Sequence, residues 1–283
     1  MTRISSLATL LVLVGATACG TGSGGAGTEV DANGGGGPDT GSGGGSGSGE
    51  NAGYLIYAHS NNVLYTIDLA TKALITIGDF NTTSTITDLA VAPNGTIYVV
   101  SYSALFTADP VDGHVTKVGS LSTCGQQGVA LTTTSDGRLW VGDYMGAICQ
   151  IDISGATPVV KPPVTIQGGL ALSGDMVGIG DGTVFGSAYR LADSTTQTNN
   201  LLVTVDVTTG AVTQIGQTGF PRLYGVAFQQ DKVFGFTHDG TGLVVTIDTS
   251  TGHGTMFGTF MDPTTNTGIA FAGAGVNSLV VLL

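Results

Sequence analysis

The chain has 283 residues, of which 8 are Lys or Arg and 20 are Asp or Glu, giving a formal net charge of −12. So few basic residues exclude a nucleic-acid surface, which needs clustered cations to displace counterions. A charged content of 10% beside 41% hydrophobic residues excludes a globally disordered chain. Glu29 and Glu50 are the only glutamates, while Gly (47 residues), Thr and Val abound, which is strand-and-turn rather than helix composition.

Residues 1–18 read as a signal peptide. Arg3 supplies a basic start, Leu7–Val14 is an apolar run too short to span a bilayer, and Gly15–Ala18 are small residues ahead of Cys19. Small residues before a cysteine resemble the lipobox of bacterial lipoproteins, with Ala16 standing where leucine is usual. That resemblance implies cleavage before Cys19 and lipidation of its thiol; an ordinary secretory signal with Cys19 as a spare thiol is the other reading. Both export the protein, and the lipoprotein places it at the outer membrane, cell surface or periplasm. Gly20–Gly53 holds 16 Gly among 34 residues and no aromatic, so it cannot bury enough apolar surface to offset its ordering entropy. Residues 19–53 are therefore expected to be a lipidated, flexible tether reaching ~30 Å.

Residues 54–283 are repetitive. A strand with an aromatic at its centre recurs at Tyr57, Tyr98, Trp140, Phe185 and Phe234, at spacings of 41, 42, 45 and 49 residues. Each is followed by a strand closing on aspartate, at Asp68, Asp109, Asp152, Asp206 and Asp248. A last strand ending in glycine follows at Gly78, Gly119, Gly216 and Gly258. An apolar strand precedes the aromatic one, as in Leu89–Ala92 and Gly225–Phe228. Four strands per unit of ~40–50 residues is the pattern of a propeller blade. Asn94-Gly95, Asp136-Gly137 and Asp181-Gly182 read as tight hairpin turns. The closing aspartates read as caps on the turns that follow them, with calcium loops as the less well supplied alternative.

The first unit lacks its inner strand, and Thr267–Ala272 has the sequence of that strand. Closing the ring with it gives an all-β, five-bladed β-propeller of four-stranded blades. Six blades stay open, because Ser278–Leu283 reads as a surplus strand. The repeat is similar to the "LYxIDxxTGxVTxIG" units of exported bacterial lipoproteins that carry a β-propeller. The resemblance implies architecture alone, since propellers of this kind have unrelated functions.

In such a fold the loops after the aromatic strand and those leading into the inner strand share one face, and that face holds the unusual residues. His59, Tyr144, Arg190 and His238 come from the first set; Asp88, Gln127 and Tyr224 come from the second, with Asp175 expected beside them at the channel mouth. The longest insertion is Arg190–Asn200. This face is the expected binding surface, for an envelope protein or a glycan, with solvated loops as the plain alternative. Lactonase-like propellers hold a divalent cation at the channel with Glu, Asn and Asp. Here no glutamate lies beyond the tether, and Asp88 and Asp175 alone stand where ligands would, so calcium is the one candidate ion and a metal-assisted hydrolase the alternative function. His59 and His238 read as surface histidines, and no Gly-x-Ser-x-Gly elbow is present. No catalytic residues are assigned, and a monomeric binding or scaffold module anchored to membrane lipid is the expected function. Cys124 and Cys149, 25 residues apart, read as a disulfide in an oxidising compartment or as two separate buried thiols.

Overall fold

The computed structural model describes residues 55–279, except 123, 126 and 196. The signal segment, Cys19, the tether and residues 280–283 lie outside the described residues.

Among the described residues, twenty-one strands form five antiparallel sheets. The first blade contains β1 (Leu55–His59), β2 (Val63–Asp68) and β3 (Ala73–Asp79). The second runs β4 (Ile86–Val91), β5 (Ile97–Ser101), β6 (Ala104–Ala108) and β7 (Val115–Ser120). The third runs β8 (Gly128–Thr133), β9 (Leu139–Asp143), β10 (Ala147–Asp152), β11 (Val159–Val160) and β12 (Val164–Thr165). The fourth is β13 (Leu170–Gly178), β14 (Val184–Arg190), β15 (Leu201–Val205) and β16 (Val212–Gln217). The fifth is β17 (Leu223–Gln229), β18 (Lys232–Thr237), β19 (Leu243–Asp248) and β20 (Gly254–Thr259). The last strand, β21 (Gly273–Gly275), pairs antiparallel with β1 and is the inner strand of the first blade, so the two ends of the domain share one sheet.

Five blades are thus present. The closing strand lies beyond the expected Thr267–Ala272, because Gly273-Ala274-Gly275 rather than Gly268–Phe271 aligns with the β1 ladder. Ser278 and Leu279 form a turn instead of opening a sixth blade: Asn277 bridges Val91, and its Nδ2 donates to Pro93 O at 3.2 Å. The third blade's outer strand is split into β11 and β12, either side of Pro162-Pro163, which have no N–H to donate to the ladder.

Burial falls from the axis outward. β4 and β13 are buried at every residue, whereas β3, β7, β16 and β20 are mostly exposed or half-buried. The apolar core is correspondingly divided among the interfaces between blades. Leu64, Phe80, Leu89 and Val99 join the first blade to the second, while Trp140, Ile148, Leu172 and Val203 join the third to the fourth. The largest cluster brings Ile56, Tyr65, Phe228, Phe236 and Phe271 together across the ring closure.

The turns follow the sequence reading in place and refine it in mechanism. Positive φ falls on Gly95, Gly137 and Gly182 alone, at 85°, 80° and 91°. The residue ahead of each keeps negative φ and uses its side chain instead: Thr96 N donates to Asn94 Oδ1 at 3.0 Å and Thr183 N to Asp181 Oδ1 at 2.8 Å. These are three-residue loops ending in a left-handed glycine. The strand-closing aspartates are caps, as expected. Asp248 Oδ1 accepts from the N–H groups of Ser250 and Thr251 at 2.9 and 2.8 Å, and Asp68 does the same for Ala70 and Thr71.

Cys124 and Cys149 are joined by a disulfide with Cα atoms 5.8 Å apart. It ties the loop entering the third blade to that blade's third strand, within the apolar cluster that includes Val100, Leu131 and Val141.

Candidate functional site

The inner strands carry a repeated irregularity that sequence periodicity does not reveal. Pairing skips a residue between Ile86 and Asp88, between Gly128 and Ala130, and between Leu223 and Gly225; in β13 it skips from Leu172 to Met176. Each skip is a β-bulge, which re-aims the extra residue. The extra residues Thr87, Val129, Ser173, Gly174 and Tyr224 all line one pocket of about 490 Å³ at the mouth of the ring. Alignment of the inner strands on the residue before each ladder restart would have found them.

One residue further along come Asp88, Ala130, Asp175, Gly225 and Gly273, which meet at the axis. Asp88 is fully buried; Leu89 N donates to its Oδ1 at 2.8 Å and Leu131 N, from the next blade, to its Oδ2 at 2.5 Å. Asp175 is equally buried; Met176 N donates to its Oδ1 at 2.5 Å, and Val226 N and Ala274 N donate to its Oδ2 at 2.5 and 3.3 Å. The two carboxyl groups are electrostatic neighbours. Burial raises both above the usual carboxylate range, and for Asp88 the neighbouring Asp175 charge adds to it. Two interacting buried carboxyls titrate as a pair, the charge of one opposing the ionisation of the other. Glycine is required opposite them: a Cβ at Gly273 would collide with Asp88 Oδ1 and His59 Nε2. Beyond this layer the axis narrows to a cavity of about 10 Å³ among Leu89, Leu131, Met176 and Ala274, so the mouth is a blind pocket and not a through-channel.

The expected mouth residues divide accordingly. Gln127, Tyr144, Tyr224 and His238 do line the pocket. Asp88 and Asp175 lie beneath it, with their oxygens engaged by inner-strand N–H groups. His59 is fully buried rather than on the surface; its ring meets Phe80 edge-on at 5.6 Å and its Nδ1 lies 2.6 Å from Ser60 O. Burial, with His238 nearby, lowers its pKa to about 4, against an ordinary 6.5. Arg190 is exposed on a different part of the surface and donates to Gln214 Oε1 at 3.0 Å.

The pocket is aromatic and uncharged. Tyr224 and His238 stack at 4.8 Å with their rings 15° apart, and His238 Nδ1 lies 2.8 Å from Phe271 O. Tyr102 and Tyr144 stand at the rim, 47% and 38% exposed. Tyr189, buried, donates from its hydroxyl to Tyr144 O at 2.6 Å and so fixes the loop bearing that rim residue. The insertion after β14, with its short 3-10 turn Leu191–Asp193, contributes Ser194 and Gln197 to the wall. Ser173 is 7% exposed and its Oγ has no hydrogen-bond partner; buried Gln197 Oε1 has none either. Both atoms are closed off from solvent as well as from protein partners. Among the described residues no group of three His, Cys, Asp or Glu side chains is arranged to hold a metal ion.

Fold and site together define a β-propeller with a closed axis and a concave, aromatic mouth. No protein-family model matches the sequence, and no curated protein matches it. Solved structures are similar in fold. A chain of the nidogen/laminin complex aligns with a TM-score of 0.50 at 13% identity, over 80% of this chain and 99% of that one. A protein of unknown function from Bacteroides caccae aligns at TM-score 0.42 and 10% identity, over 71% and 70% of the two chains. Hydrazine synthase from Kuenenia stuttgartiensis aligns at TM-score 0.43 and 17% identity, over 72% of this chain and 62% of that one. At these identities the likeness to the nidogen/laminin chain concerns the fold alone.

Proposed function

We propose that this protein is a binding module of the cell envelope, tethered through a lipidated Cys19, and that the mouth of its propeller holds the ligand. The observation carrying this reading is the bulge in the inner strands, which aims one residue after another into a single blind pocket. A packed β-propeller has no structural need of such a pocket, and its volume falls within the ~300–1,000 Å³ usual for ligand sites. The disulfide fits an oxidising, exported location, and among the described residues no helix is long and apolar enough to cross a membrane. Rigid strands fix the floor while loops of unequal length form the wall, the division of labour that repeat scaffolds use for recognition. A metal-assisted hydrolase draws no support from the geometry, since the carboxylates on which it would depend are committed to the backbone.

The test compares the two faces. Full-length protein carrying Tyr224→Ala at the mouth, or Arg138→Ala on the opposite face, is immobilised and exposed to envelope extract. Retention of glycans and proteins, read by mass spectrometry, should fall about tenfold for the mouth variant and stay unchanged for the other. Equal retention by both variants would overturn the reading. Radiolabelled fatty acid should label the wild-type chain and not Cys19→Ser; label on both removes the anchor from the proposal.

A further inference from the structure

We propose that the side-chain amide of Asn81, on the loop joining the first blade to the second, is the acceptor of an N-linked glycan. The donor is a polyprenyl-pyrophosphate oligosaccharide, and the transfer follows export and folding. This goes beyond the binding reading and needs only that the protein be exported.

Asparagine followed two residues later by Ser or Thr, with no Pro between them, is the acceptor sequence for such transfer. It occurs twice among the described residues, as Asn81-Thr82-Thr83 and Asn94-Gly95-Thr96, and the fold treats the two differently. At the first, Phe80 is fully buried and its N–H donates to Asn62 O at 2.7 Å, which fixes where the loop leaves the blade. Asp79 Oδ1 accepts from Asn81 N at 2.6 Å, and Asn81 takes the left-handed conformation, φ 49°, that asparagine tolerates better than most residues. From there the chain runs as an irregular segment to Ile86, where β4 begins. Asn81 and Thr83 are both exposed, and neither side chain hydrogen-bonds to any described residue.

At the second, the same groups are already in use. Asn94 Oδ1 accepts from Thr96 N at 3.0 Å, Gly95 N donates to Ala92 O at 2.8 Å, and Ala92 N donates to Thr96 O at 2.9 Å. Thr96 is half-buried and leads straight into β5, so an enzyme could engage Asn94 only by opening the hairpin. The chemistry makes that difference matter. Nδ2 attacks C1 of the reducing-end sugar; the Nδ2–C1 bond forms as the C1–O bond to phosphate breaks, polyprenyl pyrophosphate leaves with the bonding pair, and Nδ2 gives one proton to solvent. An amide nitrogen is a poor nucleophile because its lone pair is shared with the carbonyl, so the side chain must be free to turn within the transferase while the Thr hydroxyl is read beside it. Asn81 and Thr83 meet both demands, and Asn94, held through its oxygen, meets neither.

The test recovers the full-length protein from the envelope of the cell that makes it and digests it with trypsin. No Lys or Arg lies between Lys72 and Lys117, so both acceptor sequences fall in one peptide, and electron-transfer fragmentation assigns any added mass to a residue. Hexose or N-acetylhexosamine mass is expected on Asn81, with Asn94 bare. Thr83→Ala removes an exposed hydroxyl that has no partner, so it should abolish the added mass and leave the melting temperature unchanged in chains made without glycan. Asn94→Gln should leave Asn81 modified. A bare Asn81 in the native protein overturns the inference. Glycan on Asn94 overturns it too, because transfer would then precede folding and owe nothing to the loop. Added mass that survives Thr83→Ala would show that the acceptor sequence is not what is read, with the same consequence. None of these outcomes bears on the mouth, whose reading stands or falls separately on the retention lost with Tyr224→Ala.

Discussion

The two faces of the ring are made by the same strands, yet they treat their polar groups in opposite ways. On the turn face the side chains satisfy one another. Asp206 Oδ1 accepts from Thr208 N and from the Thr208 hydroxyl, Asp136 pairs with Arg138, and each hairpin ends on a glycine that takes the positive φ. A groove of about 470 Å³ lies there between the third and fourth blades, lined largely by those already-paired groups, with Trp140 Nε1 buried and unpaired in its wall. The mouth face instead exposes Tyr102 and Tyr144 around a pocket whose polar lining is uncharged. Size does not separate the two concavities. Exposed aromatic side chains gathered around an uncharged concavity are the better guide to recognition.

The contrast depends on the axial layer that closes the pocket, and breaking that layer should have the largest effect. Asp175→Ala leaves the N–H groups of Met176, Val226 and Ala274 without their acceptor, across strands from two other blades. A loss of about 3–5 kcal/mol is expected from urea unfolding. Asp175→Asn keeps one acceptor but sets its NH2 against the N–H groups that the other oxygen served, so its loss should be smaller than that of the alanine variant without vanishing. Equal losses would mean that the acceptor kept by asparagine has no part in holding the ring.

The disulfide comes next. It closes a loop of 25 residues beside the pocket wall that bears Gln127. Cys124→Ser combined with Cys149→Ser should cost about 3 kcal/mol by loop-closure entropy. Binding at the mouth should weaken less than stability, since Tyr102, Tyr224 and His238 belong to other blades. A loss of binding with unchanged stability would show that the cysteine loop itself is the recognition element.

Acidity probes the two buried titrating sites in opposite directions. His59 is held neutral, with its pKa lowered to about 4. The unfolded chain binds that proton first, so stability is complete above the ordinary value of about 6.5 and falls as pH drops toward 4, by on the order of 3 kcal/mol. The carboxylate pair is raised, so the folded ring holds a proton that the unfolded chain releases. Its contribution is complete below an unfolded value of about 3.9 and declines as pH rises from there through the raised folded pKa. His59→Leu should flatten the fall between pH 6.5 and 4, and Asp88→Asn should flatten the decline on the other side. Stability curves measured from pH 3.5 to 9 that keep both slopes in both variants would assign the pH dependence to other groups.

The architecture was legible because each blade repeats its strand signals independently: five aromatic positions and five closing aspartates leave little choice of fold. Ring closure was legible in principle and misplaced in register, because Gly268–Phe271 mimics the inner-strand sequence while Gly273-Ala274-Gly275, nearly featureless, is the segment that fits beside two carboxylates. The mouth was half legible. Gln127, Tyr144, Tyr224 and His238 could be placed on loops or loop ends by counting strands, but Ser173 sits inside an apolar run and reaches the pocket only through a bulge. Asp88 and Asp175 attracted notice as charges near a channel, and their burial is a fact of packing between blades that one blade's sequence does not encode. Gln197 was hidden in an insertion whose composition says only that it is a loop.

The smallest effect separates the faces most cleanly. Asp206→Ala removes the acceptor that organises the turn after β15, on the face opposite the mouth, and Tyr102→Ala removes an exposed ring at the rim. The first should lower the melting temperature slightly, because the N–H groups of Thr208 and Thr209 can turn to water, and it should leave ligand binding intact. The second should leave the melting temperature within error, since a side chain 47% exposed contributes little to packing, and it should impair binding. If the turn variant also impairs binding, the faces are mechanically coupled through their shared strands, and the groove beside Trp140 becomes the site to examine. If neither variant affects binding while Tyr224→Ala does, recognition is confined to the stacked pair Tyr224 and His238 inside the pocket, and the rim serves only to exclude water.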